Sequence, residues 1–234
     1  MTQSSTYNTE NGLKAYLSRT FSTMAIGVAI SGIITYLFSL ILPTLIVKYY
    51  QFYGIISIAL VLVELGIAFY FSLNLMKMSK TTAWVCYILY SIVTGISFSS
   101  IIMTYTGASI TLVFVSTTVM FICMSIIGHS SKINYTKVYS LFLPAIIAGL
   151  IISLLNTFIF HSSTIEMMIV FIGIVLFLGI TAADVQKLKG MYYAGQGNPE
   201  LSEKLMILGA FQLYLDFANI FLRILRLLGK RNND

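Results

Sequence analysis

Long apolar runs alternate with short polar breaks along the whole chain. Most of the runs approach or exceed the ~20 residues a helix needs to cross the hydrocarbon of a bilayer. They predict helices over Phe21 to Leu42, Tyr53 to Leu75, Ala83 to Met103, Ile110 to Ile127, Val138 to Phe160, Ile165 to Ala183 and Leu205 to Leu228. Pro43 marks the exit of the first, and Pro199 suits the first turn of the last. The breaks are short except for Asp184 to Lys204, where Gly195, Gly197 and Pro199 predict a true loop. Strands are excluded on physical grounds. Backbone groups in hydrocarbon must pair within their own segment or within a closed barrel. Barrel strands are about 10 residues long and alternate polar with apolar. These runs are about twice that length and apolar on every face. The first is too long for a cleavable leader and has no small-residue cleavage site, so it reads as a signal anchor. The expected fold is all-α and polytopic, with an N-terminal segment at 1–20, a seven-helix transmembrane domain at 21–229 and a polar tail at 230–234.

Composition removes the soluble alternative. Hydrophobic residues make up 58% of the 234 and charged residues 9%, against about 25% charged in an ordinary globular domain. So little polar surface cannot form a wettable shell. The net charge of +6 comes from Lys and Arg spaced between the apolar runs, where they meet anionic headgroups. They form no dense patch interleaved with aromatics, so the expected partner is the lipid bilayer and not a nucleic acid. Cys86 and Cys123 both fall inside apolar runs and read as thiols buried in lipid or core.

The positions of those charges set an orientation. Lys14, Arg19, Lys77, Lys80, Lys132, Lys137, Lys187, Lys189 and Lys204 all fall on one side of the first six helices, and only Lys48 falls opposite. Positive residues stay inside, so the N-terminus is expected in the cytoplasm. The last helix breaks the rule, because Arg223, Arg226, Lys230 and Arg231 lie in or after its final turns. Charge alone favours its re-entry.

Ionisable groups within spans are costly, and each is a functional candidate. Glu64 sits near the middle of the second helix, Asp184 at the inner end of the sixth and Asp216 well inside the seventh. Glu64 is either a protonated group bonded to a backbone carbonyl or Ser, or a polar group lining an ion path. Asp184 taken alone reads as a helix-end carboxylate facing water. Asp216 belongs to a stripe: Gln212, Asp216, Asn219 and Arg223 share one helix face, and Leu213, Phe217, Ile220 and Ile224 form the other. Such a helix either packs at the centre of a bundle or lies at the membrane surface.

The tail from Gly209-Ala-Phe-Gln-Leu-Tyr-Leu-Asp216 through Asn219, Arg223 and Arg226 to Gly229 resembles the C-terminal signature of the Bax inhibitor-1 family, and of its bacterial members in particular. Ala183-Asp184-Val-Gln186 resembles the family's Tyr-Asp-Thr-Gln element, with Ala in place of Tyr. Tyr90 to Ser100, Thr106 to Ile110 with Met124-Ser125, and Lys14-Ala-Tyr16 resemble its third helix, its fourth helix and the entry to its first. The resemblance therefore covers nearly the whole chain. It implies a last, semi-polar helix central to the other six, in a bacterial inner membrane. It also implies a pH-sensitive calcium leak, with Asp184 and Asp216 as the proton-sensing pair. Two carboxyls in one low-dielectric site cannot both ionise cheaply, so they share a proton. Glu64, Gln212 and Asn219 are the expected polar groups of an ion path, and Asp216 and Glu64 the expected weak, transient calcium ligands. No tightly bound cofactor is expected beyond transient calcium. The family's basic partner in the second helix has no Arg counterpart here. Lys77 and Arg223 are the candidate latch residues.

A competing reading is a non-conducting protein that binds and regulates other membrane proteins, such as a membrane protease. Enzymatic activity is not expected. An intramembrane aspartyl protease would carry Gly-x-Gly-Asp, whereas Leu215 precedes Asp216 and Ala183 precedes Asp184. A His-Glu-x-x-His zinc site is absent from the chain. His129 and His161 fall in links on opposite sides of the membrane and cannot share a metal.

Overall fold

The computed structural model describes residues 3–130 and 134–232. Lys132 and the last two residues of the polar tail lie outside the described residues. Among those described there are seven helices long and apolar enough to cross a membrane. They are α1 (Gln3–Lys48), α2 (Tyr53–Asn74), α3 (Lys80–Thr104), α4 (Gly107–Ser130), α5 (Tyr135–Leu155), α6 (Ser163–Gly195) and α7 (Pro199–Leu228). A π turn over Asn156–Phe160 extends α5.

Three boundaries differ from expectation. α1 starts well before Phe21, helped by an i,i+4 ion pair of Lys14 with Glu10 at 3.0 Å. It also carries Pro43 inside it and does not end there. A proline near a helix end forfeits one backbone bond, which the remaining turns tolerate. The largest difference is at α6. The expected loop from Asp184 is helix as far as Gly195, and the true turn is confined to 196–198. The polar-looking stretch keeps a helical stripe, with Val185, Leu188 and Met191 buried on one face. Gly197 takes φ +80, a left-handed conformation that favours glycine. Asn198 Oδ1 then accepts from the Leu201 N–H at 3.0 Å and caps α7. Pro199 opens that helix, as its sequence position predicts.

The chain forms two packing units. One gathers residues up to 105 with 191–214, and the other gathers 106–190 with 215–232. In the first unit, small residues let helices close on one another. A Cβ on Gly95 of α3 would meet Ile34 Cβ at 2.7 Å and the Ser31 carbonyl at 2.8 Å on α1. Ser31 Oγ donates to the Ser91 carbonyl at 2.7 Å and lies 2.7 Å from the Tyr214 hydroxyl. Around Tyr214 is an aromatic cluster, with Tyr90 and Phe211 rings 4.9 Å apart and Phe71 and Phe211 5.0 Å apart. Lys204, buried at the start of α7, donates to the Met78 carbonyl at 2.8 Å and ties the α2–α3 link to α7.

In the second unit Gly128 of α4 lies against the backbone of Ala182 of α6, and no other residue fits that approach. Phe217 of α7 packs on Phe114 and Phe121 of α4, ring centroids 5.5 and 5.8 Å away. The tail folds back onto the start of α4: the Thr106 N–H donates to the Lys230 carbonyl, and the Lys230 N–H to Ser109 Oγ, both at 3.0 Å.

The seventh helix contributes one half to each unit. It is the most buried of the seven, with 61% of its most apolar stretch shielded by protein. The surface-lying alternative is thereby excluded.

Candidate functional site

Helix geometry creates the site in the second unit. Asp216 projects from α7 on its polar stripe, and Asp184 from α6 just past the small pair Ala182-Ala183. Ala183 is completely buried. The small side chains there let neighbouring helices approach closely enough for the two carboxyls to meet.

Asp184 and Asp216 are 5% and 4% exposed, and their carboxyl groups face each other within hydrogen-bonding reach. An ionised carboxylate only accepts hydrogen bonds, so a bond between two carboxyls requires that one of them hold a proton. Tyr139 of α5 donates its hydroxyl to Asp184 Oδ1. Lys187, one turn beyond Asp184, holds its Nζ 5.4 Å from the centre of the Tyr139 ring and acts electrostatically on both carboxyls. Thr181 stands alongside Asp216 and donates to the Phe177 carbonyl at 2.8 Å. Asp216 Oδ2 is buried with no hydrogen-bond partner. The result is one satisfied carboxyl and one with a free acceptor, held by residues of three helices.

The other expected residues have varied positions. Asn219 shares the unit with the pair, and its amide donates to the Leu215 carbonyl at 2.8 Å. Arg223, a candidate latch, lies further along α7. Its Nη1 donates to the Ile169 carbonyl at 3.4 Å, and its guanidinium sits 5.1 Å over the Phe177 ring. Gly173 leaves the space the guanidinium occupies. Lys77, the other candidate latch, is exposed in a 3₁₀ turn of the first unit. Glu64 and Gln212 also belong to the first unit. Glu64 faces Ser97, and its buried Oε1 has no other protein partner. Among the described residues, no three His, Cys, Asp or Glu side chains converge as metal ligands.

Sequence reasoning missed Tyr139, Thr181 and Lys187. Tyr139 lies in a helix that otherwise reads as lipid-facing. Thr181 and Lys187 flank Asp184 at i−3 and i+3, a spacing that places them on one helix face. That spacing was the available signal.

Comparison with known proteins bears on the whole chain. The family model described as inhibitor of apoptosis-promoting Bax1 matches residues 13–233. An uncharacterized protein of Rickettsia prowazekii, RP147, is 35% identical over 224 residues, 96% of this chain and 93% of its own. An uncharacterized protein of Borreliella burgdorferi is 36% identical over 220 residues, 94% and 93% of the two chains. The inner membrane protein YbhL of Escherichia coli is 31% identical over 221 residues, again 94% and 93%.

Proposed function

The chain belongs to the Bax inhibitor-1 family as a multi-pass membrane protein, and from that premise we propose that it is a pH-sensitive calcium leak gated by Asp184 and Asp216. The observation that carries this reading is the meeting of two buried carboxyls inside spanning helices, with one acceptor left unfilled. A shared proton holds α6 to α7 through a charge-assisted hydrogen bond. Calcium, a hard cation that prefers oxygen ligands, can take the proton's place between the two carboxylates. A second proton removes the charge that strengthened the bond and frees the helices to separate. Acidification therefore favours the conducting state. The close approach of Gly128 to Ala182 carries any shift of Asp184 to α4.

We place the N-terminus in the cytoplasm, because nine of the basic residues then face inward. Seven crossings put the C-terminal basic residues outside. Local contacts temper that placement: Arg226 lies 3.8 Å from Glu166, and Arg223 is seated on Phe177.

The test is calcium flux into proteoliposomes, measured against pH, for the wild type, Asp184→Asn and Asp216→Asn. The wild type should conduct more on acidification, and both variants should lose that dependence. Absent flux, or three identical pH profiles, overturns the reading. A robust co-purified partner together with absent flux favours an interaction protein.

A further inference from the structure

The second carboxyl inside the membrane has a different setting. In the first unit α1, α2 and α3 line a half-open cavity of about 540 Å³, within the ~300–1,000 Å³ typical of small-molecule sites. Its walls are apolar, with Phe38 and Leu42 from α1 and Leu60 and Val61 from α2. Its polar side chains are Tyr49 and serines, among them Ser97 and Ser100 of α3. Ser57, Leu60 and Val61 of α2 line it, and Glu64 continues the same face one turn further on.

Two polar atoms at this end have only each other to bind. Glu64 Oε1 and Ser97 Oγ are both buried and face each other within reach, and neither has another protein partner. By contrast, Ser99 Oγ and Ser100 Oγ donate to the Ile96 and Ser97 carbonyls at 2.5 and 3.1 Å. The other titratable groups acting on Glu64 are the hydroxyls of Tyr90 and Tyr214. Among the described residues no Lys or Arg forms an ion pair with it. Buried polar atoms of native proteins are nearly always satisfied, and an unfilled acceptor is costly. An apolar chamber whose lining Ser97 faces an acid without a counter-ion is complementary to a molecule of opposite design. Such a molecule has a hydrocarbon body and a single cationic N–H donor.

We propose that this cavity binds a lipophilic amine, with its ammonium on Glu64 and Ser97 and its apolar body against Phe38, Leu42 and Leu60. The amine supplies the charge that the Ser97 hydroxyl cannot, and the walls supply the apolar contact. The proposal stands on residues of the first unit alone and does not depend on the paired aspartates.

The experiment uses the full chain in phosphatidylcholine–phosphatidylglycerol nanodiscs with tritiated imipramine, a tertiary amine on a tricyclic body. Carbamazepine, an uncharged tricycle, is the competitor. Wild-type protein should bind imipramine saturably at one site per chain, and carbamazepine should compete at least tenfold more weakly. Glu64→Gln, which keeps shape and removes charge, should weaken imipramine at least tenfold. Ser100→Leu, which fills the chamber without touching Glu64, should do the same and serves if Glu64→Gln fails to fold. Equal imipramine binding in wild type and both variants overturns the proposal. So does carbamazepine binding as tightly as imipramine, which would reduce the site to apolar contact. Absence of saturable binding in nanodiscs also overturns it, since a lipid tail would then hold the cavity.

Discussion

Helices α5 and α7 are inverse to each other. α5 is among the most apolar of the seven, yet none of its residues is buried. α7 is the least apolar, and it is the one most enclosed by protein. In a soluble fold the order would be reversed. Lipid tails solvate an apolar helix as well as a protein core does, so hydrophobicity no longer drives a helix inward. Enclosure goes instead to the helix whose polar groups lipid would penalise. Asp216, Asn219 and Arg223 give α7 its place, and the absence of such groups leaves α5 at the periphery.

This contrast can be challenged by substitution, with unfolding followed in mixed detergent micelles. The largest effect is expected from paired truncations. Ile220 on α7 is fully buried and Ile151 on α5 is 53% exposed. Ile220→Ala should cost about 2–5 kcal/mol by leaving a cavity, while Ile151→Ala, refilled by lipid or detergent, should cost under about 0.5 kcal/mol. Equal losses would show that the two helices are equally enclosed. A smaller effect is expected where α5 makes its polar contribution. Tyr139→Phe removes the donor to Asp184 Oδ1 and should cost about 1–3 kcal/mol. Tyr193→Phe, at a residue 53% exposed, should leave stability unchanged. No loss on Tyr139→Phe would mean that α5 serves only as a lipid-facing wall. The smallest effect belongs to the rim of the second unit. Glu166 and Arg226 are 3.8 Å apart with both side chains more than half exposed. Glu166→Gln should therefore cost at most about 0.5 kcal/mol and be insensitive to added salt thereafter. A larger loss would mark the pair as shielded.

The two membrane carboxyls sharpen the same lesson. Glu64 and Asp216 are both acids within apolar spans, although Asp216 also belongs to the polar stripe of α7. Asp216 meets a second carboxyl supported by a tyrosine, whereas Glu64 faces Ser97 beside an apolar chamber. Residue type and depth were legible in the chain, and the family resemblance implied the pair of Asp184 and Asp216, but the tyrosine beside that pair and the chamber beside Glu64 were not legible.

The sequence by itself determined seven helical spans, the near absence of a soluble part and the polar stripe on α7. Each of these is a property of one segment and its solvent. Transfer of a helix into lipid is summed residue by residue along that segment, and a stripe follows from a fixed period of 3.6. Tertiary structure decided the rest. It brought Asp184 to Asp216 across residues far apart in the chain, and it chose Tyr139 as the donor. It also placed Arg223 over Phe177 in the space left by Gly173, and Lys204 on the Met78 carbonyl. It carried α6 past Asp184 by burying Val185, Leu188 and Met191. These outcomes depend on which faces meet and how closely small residues let them approach, and a single segment carries no record of its neighbours.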